Sequence, residues 1–129
     1  RDTQKGEWKV LIADDEPAAR RGVSQLLAPY PDFDVVKKCR NGAEVLAALD
    51  TSEPDVIFLD IEMPGIDGFE FVARVRADPA LSHIPSILVT SRAAAADRQR
   101  GRDVGARGYV VKSEFDQQAL LRSIRQLVG

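Results

Sequence analysis

The stretch DVIFLDIEMPGIDGFEF, residues 55–71, joins an apolar run to a carboxylate. Four consecutive apolar residues, 56–59, have the length and composition of a strand buried on both faces. Asp60 follows that run directly, Glu62 is the next acid, and the DG pair at 67–68 is typical of a turn. The stretch predicts a buried strand, an acidic loop and then a helix over 68–76.

The same strand-then-helix pattern occurs five times along the chain. The predicted strands cover 9–13, 33–39, 55–59, 85–90 and 108–112. Pro17 suits a first helical turn, and Asn41 is a good helix N-cap. A helix over 93–104 precedes Gly105, a plausible C-terminal cap. Ser113 and Asp116 together predict a capping-box start for the last helix.

Strict alternation of strands and helices predicts a parallel sheet with helices on both faces. The second strand carries Lys37 and Lys38, which suit a sheet edge because charged side chains oppose edge-to-edge association. An edge position for this strand is what the strand order 2-1-3-4-5 provides. We therefore expect an α/β, flavodoxin-like (βα)5 three-layer sandwich with a five-stranded parallel sheet.

Composition and charge exclude several other classes of protein. The 129 residues suffice for one domain, and 44% hydrophobic with 29% charged residues is ordinary for a globular protein. A net charge of −2 gives no nucleic-acid footprint, and no apolar run approaches the ~20 residues that cross a bilayer. The single Cys39 is compatible with a reducing compartment. We expect a cytoplasmic domain without membrane or direct nucleic-acid contacts.

The chain begins at Arg1 rather than Met, so we expect it to be a piece of a longer protein or to carry added residues at its start. Residues 1–7 have no strand or helix signal and are predicted to be a flexible lead-in. Residues 8–129 are predicted to form the single domain.

Polar residues follow four of the predicted strands. Because ligands of such sheets bind outside the carboxyl ends of the strands, these residues share one rim. They are Asp14, Asp15 and Glu16 after the first strand, Asp60 and Glu62 after the third, Thr90 at the end of the fourth, and Lys112 at the end of the fifth. Clustered carboxylates repel one another and recruit a cation, and oxygen ligands of this kind suit Mg²⁺. A lysine and a hydroxyl suit a phosphoryl oxygen, and one carboxylate could be the nucleophile.

Each of these residues also has a simpler explanation. Acids are favoured at helix N-termini, an Asp after a strand commonly forms a turn, and Thr and Lys are ordinary at strand ends and surfaces. Their joint placement on one rim is poorly explained by chance and favours a reactive site.

The motifs VLIADDEP, PDVIFLDIEMPGIDGFEF, ILVTS and GARGYVVK, in this order and spacing, resemble the receiver domain of two-component response regulators. The resemblance covers about residues 8–128. It implies a signalling domain that takes a phosphoryl group from the phosphohistidine of a histidine kinase or phosphotransfer domain, catalysing its own phosphorylation and slow dephosphorylation rather than acting as an enzyme.

The resemblance also implies a role for each residue of the rim. Asp60 would be the phosphoacceptor and also a ligand of Mg²⁺. Asp15 would bind Mg²⁺ directly, Asp14 largely through water, and Glu62 through its backbone carbonyl. Lys112 would pair with the phosphoryl group, Thr90 would hydrogen-bond it, and Tyr109 would follow Thr90 inward as a rotameric switch. The fourth helix, fifth strand and fifth helix would form the output surface and a possible dimer interface.

Two features depart from the family pattern. Ser113 stands where the family usually has Pro after the lysine, so we expect a trans peptide bond there, because a cis bond without proline costs ~2.5–4 kcal/mol. The N-terminal motifs are similar to receivers of LytTR-type regulators. The motifs from residue 89 on are similar to receivers of chemotaxis-type hybrid histidine kinases. Natural variation and an engineered hybrid both explain this mixture.

Two other functions are compatible with parts of the pattern. A haloacid-dehalogenase-type phosphohydrolase also uses an Asp after a parallel strand with Thr, Lys and Mg²⁺. Its motif is usually Asp-x-Asp, whereas Glu62 holds the second position here, and its metal-binding acids come late in the chain. A pseudo-receiver that never takes phosphate would be an interaction module, which the intact set of site residues disfavours.

Overall fold

The computed structural model describes residues 8–114 and 116–128, and the predicted lead-in over 1–7 lies outside them. Five strands alternate with five helices: β1 Trp8–Ala13, α1 Pro17–Leu27, β2 Phe33–Cys39, α2 Gly42–Ser52, β3 Val56–Leu59, α3 Gly68–Ala77, β4 Ser86–Thr90, α4 Ala95–Val104, β5 Gly108–Val111 and α5 Gln117–Val128. A short 3-10 turn, Lys112–Glu114, joins β5 to α5. The predicted alternation is confirmed.

The strands form one parallel sheet in the order β2-β1-β3-β4-β5, as predicted for a flavodoxin-like fold. β2 lies at the edge, and both Lys37 and Lys38 are exposed there. A register shift between Val10 and Leu11 marks a bulge in the pairing of β1 with β2. The central strands β3 and β4 are buried over their whole length, which explains why they lack charged residues.

Apolar side chains cover both faces of the sheet, because successive residues of a strand point to opposite sides. In β1, Leu11 packs with residues of α2 and α3, whereas Ile12 packs with residues of α1 and α5. Phe69 and Leu120 anchor α3 and α5 on the two opposite faces and are fully buried. The result is the three-layer sandwich in which polar groups are left at the strand ends.

Most helix ends are as predicted. Pro17 is the first residue of α1, the Asn41 side chain accepts a hydrogen bond from the Glu44 N–H at 2.9 Å, and Gly105 ends α4 with φ of 102°. No cis peptide bond occurs in the described part of the chain, so the expected trans bond before Ser113 is confirmed.

The start of the last helix differs from the prediction. The capping residue is Asp116, whose carboxylate accepts the Ala119 N–H at 2.8 Å, and α5 begins at Gln117. Ser113 lies instead in the 3-10 turn and is not the N-cap of α5. The predicted fifth strand also ends one residue early, since Lys112 opens that turn. The sequence contains two possible caps three residues apart, and the second is selected because the turn occupies the first.

None of the helices in 8–114 and 116–128 is both long enough and apolar enough to span a membrane.

Candidate functional site

The register of the sheet places the predicted site residues next to one another. Ala13 of β1 pairs with Leu59 of β3, so Asp14 and Asp60 leave the sheet side by side. The Asp60 N–H donates to the Ala13 carbonyl at 3.0 Å, which holds the two chain segments together beyond the strands. Across the sheet, Thr90 pairs with Val111, and Lys112 follows it.

Lys112 is the positive centre of this site. Its Nζ lies 2.8 Å from Asp14 Oδ2, 3.1 Å from Glu16 Oε1 and 3.3 Å from Asp60 Oδ2. Burial opposes the charge on Lys112, but the hydrogen bond to Asp14 and the nearby charges of Asp60 and Asp14 outweigh it and raise the pKa of Lys112. The lysine is therefore a permanent cation that binds carboxylates from two loops.

Asp60 is a buried carboxylate that binds Lys112 through one of its two oxygens. It is only 4% exposed, and Lys112 binds its Oδ2. Its Oδ1 is buried and has no hydrogen bond of ordinary geometry from the described residues. Burial and the charge of Asp14 raise the pKa of Asp60, against the weaker opposing effects of Lys112 and the Glu62 backbone N–H. A partly desolvated carboxylate of this kind has an oxygen free to take an electrophile or a cation.

Four acids at this rim could hold a metal ion. One carboxylate oxygen from each of Asp14, Asp15, Glu16 and Asp60 lies within 4.8 Å of the others. Oxygen donors with several negative charges are the ligands that hard divalent cations prefer, and the unpartnered oxygen of Asp60 fits one more contact. The donor set therefore fits a divalent metal. The Glu62 side chain turns away from this group toward Ser91 and Arg92.

Thr90 and Tyr109 are joined through the backbone of Arg92. Thr90 is fully buried, and its hydroxyl accepts the Arg92 N–H at 3.3 Å. The Tyr109 hydroxyl donates to the Arg92 carbonyl at 2.7 Å. The Arg92 side chain reaches Glu62 at 3.4 Å and Asp97 at 3.7 Å. The segment after β4 therefore contacts Glu62 in the loop after β3, Asp97 of α4 and Tyr109 of β5.

Sequence reasoning missed two residues of the site. Glu16 was noted after the first strand but received no role, although it binds Lys112 and belongs to the acidic group. Arg20 donates from its guanidinium to the Asp14 carbonyl, one helical turn inside α1. The extra acid after the Asp14–Asp15 pair was a signal for Glu16. No sequence pattern points to Arg20.

A cavity of about 410 Å³ adjoins the site between α1 and the sheet. Apolar side chains of the sheet and of α1 line most of it, and Asp14, Asp60 and Lys112 line its polar end. Gly22 of α1 also faces this space, and a Cβ atom built there meets no atom within 4 Å.

An open parallel sheet with an acid-lysine centre at its carboxyl rim is typical of domains that handle phosphoryl groups, and comparison with known proteins identifies the family. The family model described as response regulator receiver domain matches residues 10–125. The chain belongs to this family and is a receiver domain of two-component signal transduction. Receiver domains are signalling domains that interact with histidine kinases or phosphotransfer partners.

Three similar proteins illustrate the relationship. The chain is 34% identical over 119 residues to the gliding motility regulatory protein of Myxococcus xanthus, matching 92% of this chain and 15% of that protein. It is 32% identical over 121 residues to protein PilH of Pseudomonas aeruginosa, matching 94% and 98% of the two chains. A signal receiver domain of the NarL protein of Mycobacterium tuberculosis superposes with a TM-score of 0.85 at 28% identity, with 98% of each chain covered.

Proposed function

We propose that Asp60 is the phosphoacceptor and that the domain takes a phosphoryl group from the phosphohistidine of a partner kinase or phosphotransfer domain. The observation that carries this proposal is the buried Asp60 carboxylate, which has one oxygen on Lys112 and the other with no hydrogen bond of ordinary geometry from the described residues. A nucleophile needs one lone pair free, and the neighbouring cation holds the carboxylate in place.

The transfer exchanges one bond for another. An Asp60 oxygen forms a bond to phosphorus while the bond between phosphorus and the donor nitrogen breaks, and the departing imidazole keeps the electron pair. Lys112 neutralises charge on the phosphoryl oxygens, and Asp14, Asp15, Asp60 and the Glu62 backbone carbonyl would hold Mg²⁺. When bound, Mg²⁺ neutralises the negative charge that builds on the transferring group. The same residues would support slow hydrolysis of the acyl phosphate.

Thr90 and Tyr109 would report the phosphorylated state. A phosphoryl group adds charge and strong acceptor oxygens, so it attracts the O–H donor of Thr90, whose oxygen now accepts the Arg92 N–H. A shift of this hydroxyl loosens the segment to which Tyr109 is bound and lets the ring move inward. The surface formed by α4, β5 and α5 would then change and serve as the output face, including as a receiver dimer interface.

The test is the intact mass of the protein after incubation with Mg²⁺ and acetyl phosphate. We expect the gain of one phosphoryl group in the wild type, no gain in Asp60→Asn, and a normal gain in Asp50→Asn, a matched change at an exposed position of α2. The gain should also disappear when the metal is chelated. A wild-type chain that gains no mass would instead favour an interaction module, and turnover of a phosphate ester would favour a phosphohydrolase.

Several wider proposals rest on this function. We infer that residues 8–129 make up the receiver domain and that it works in the cytoplasm without direct nucleic-acid contacts. The predicted kinship with LytTR-type regulators and chemotaxis-type hybrid kinases stays a prediction, since similar structures include a LuxR-family regulator of Staphylococcus aureus and CheY4 of Vibrio cholerae. The chain spans only 15% of the length of the Myxococcus protein, so the activity of any longer protein that contains it is likewise a proposal.

A further inference from the structure

Glu16 occupies a helix end that its side chain does not cap. It is the N-cap residue of α1, but its carboxylate accepts no hydrogen bond from that helix. Glu is not a preferred N-cap residue, since its side chain is longer than those of Ser, Thr, Asp and Asn. Instead, Glu16 Oε1 binds Lys112 Nζ at 3.1 Å, across 96 positions of sequence. A capping hydrogen bond therefore does not explain this acid, and its observed side-chain partner is Lys112.

The ammonium group of Lys112 is saturated in this state. It has three N–H donors, and three carboxylates lie within 3.3 Å of it. The phosphoryl group on Asp60 can take over the N–H that Asp60 now accepts, and a second N–H from Lys112 reaches it only if one of the other two carboxylates is displaced.

Glu16 is the partner that can leave at least cost. Asp14 is 7% exposed in its side chain and holds the shortest contact, and its second oxygen accepts the Glu16 N–H at 2.9 Å. The Glu16 side chain is 66% exposed, so water can replace Lys112 around its carboxylate. An exposed ion pair is also weak, which makes it suited to exchange.

We propose that Glu16 is a positioning residue that holds Lys112 in the unphosphorylated state and competes with the phosphoryl group for it. The inference rests on the proposed phosphorylation of Asp60. Glu16 thereby slows phosphorylation, because Lys112 must first be released before it can neutralise the phosphoryl oxygens.

The test compares phosphorylation rates of Glu16 variants by intact mass, with acetyl phosphate as donor and Mg²⁺ at saturation for each variant. Saturating metal removes any contribution of Glu16 to metal affinity. We expect Glu16→Gln to be phosphorylated about two- to fivefold faster, the range set by the strength of an exposed ion pair. Glu16→Asp keeps the charge but withdraws the carboxylate by one methylene, and we expect it to be faster as well.

Glu114→Gln is the matched control. Glu114 lies two residues after Lys112, is 69% exposed and pairs with Arg98 at 3.7 Å, so its removal deletes the same charge without the lysine contact. We expect its rate to equal that of the wild type. A second readout needs no phosphodonor: the side-chain ¹⁵N signal of Lys112 should shift in Glu16→Gln and stay in place in Glu114→Gln.

The outcomes separate the two proposals. A wild-type chain that is never phosphorylated overturns the function itself. If the wild type is phosphorylated and Glu16→Gln has the same phosphorylation rate, only the competition between Glu16 and the phosphoryl group is overturned. A side-chain ¹⁵N signal of Lys112 that does not shift in Glu16→Gln has the same consequence. Acceleration in Glu16→Gln together with wild-type behaviour in Glu16→Asp would also overturn it, because overall charge rather than the contact would then be responsible.

Discussion

The Tyr109 hydroxyl donates a 2.7 Å hydrogen bond to the backbone carbonyl of Arg92, and this bond ties β5 to the segment that follows β4. The ring also packs against α4, where a Cβ atom at Gly101 would lie 3.0 Å from it. Tyr109 is therefore held at its ring by α4 and at its hydroxyl by the segment that also contacts Thr90. A change at the Thr90 hydroxyl can reach the surface through this arrangement.

Tyr109→Phe keeps the ring and removes the hydrogen bond to the Arg92 carbonyl. We expect a loss of about 0.5–1.5 kcal/mol in the free energy of unfolding, the usual net contribution of one such bond. Urea unfolding at neutral pH measures it. An unchanged midpoint would mean that water replaces the hydroxyl at no cost.

Tyr109 should also titrate at high pH, because burial and then the charge of Asp97 raise its pKa. The stability that its protonated phenol contributes is fully present below the ordinary tyrosine pKa of about 10 and is lost as the pH rises through the raised value. The ultraviolet absorbance difference between the wild type and Tyr109→Phe should therefore show a midpoint above 10. A midpoint at or below 10 would contradict the burial of the phenol.

Gly68 and Gly22 should respond oppositely to alanine. A Cβ atom at Gly68 would lie 2.5 Å from the Asp60 carbonyl oxygen and 2.7 Å from Ile61 Cα, so α3 must move away from the acidic loop. We expect Gly68→Ala to lose about 1–3 kcal/mol of stability. Gly22→Ala meets no atom within 4 Å inside α1 and should gain about 0.5–1 kcal/mol. Urea unfolding of the two variants measures both changes in stability. A loss of stability in Gly22→Ala would contradict the open space beside Gly22.

Asp60→Asn should stabilise the metal-free protein at neutral pH. Burial and the charge of Asp14 raise the pKa of Asp60, so the folded state binds its proton more tightly than the unfolded state does. The resulting stability is fully present below an unfolded aspartate pKa of about 3.9 and is lost as the pH rises through the raised value. Unfolding in chelator at several pH values should show this loss in the wild type and in Asp50→Asn, and a smaller one in Asp60→Asn. Stability curves that run parallel with pH for all three proteins would contradict the raised pKa of Asp60.

Mg²⁺ should raise the free energy of unfolding, because the four acids are close together only in the folded state. At a metal concentration 100 times the dissociation constant, we expect the free energy of unfolding to rise by about 2.7 kcal/mol. Asp15→Asn removes one exposed charged donor and should need about tenfold more metal for the same stabilisation. Thermal unfolding at constant ionic strength measures both. Equal effects of Mg²⁺ and Na⁺ would exclude a specific metal site.

Much of the fold could be predicted because its signals are local. The apolar run before Asp60 specifies a buried strand, the lysines of β2 mark the edge, and Asn41 caps its helix as expected. The predicted start of α5 was wrong for a physical reason. Ser113 and Asp116 are both good N-cap residues, and the 3-10 turn at Lys112–Glu114 decides which of them caps the helix.

The candidate site was predictable as a group but not as a set of contacts. A parallel sheet brings the residues after its strands to one rim, so Asp14, Asp60 and Lys112 could be placed together from strand ends alone. That Glu16 reaches Lys112 depends on the turn of the chain into α1 and on the 3-10 turn after β5, which no local pattern specifies.

By itself, the sequence determined the alternation of strands and helices, the edge position of β2 and the residue types at the carboxyl rim, because periodicity, charge and turn residues act over a few neighbouring positions. Only the tertiary structure decided that Asp60 is buried with one oxygen lacking an ordinary hydrogen bond from the described residues, that burial and Asp14 raise its pKa, and that three carboxylates share one lysine. These properties arise from desolvation and charge at distances of a few ångströms between segments far apart in the chain, and such distances exist only after the sheet and its helices have packed.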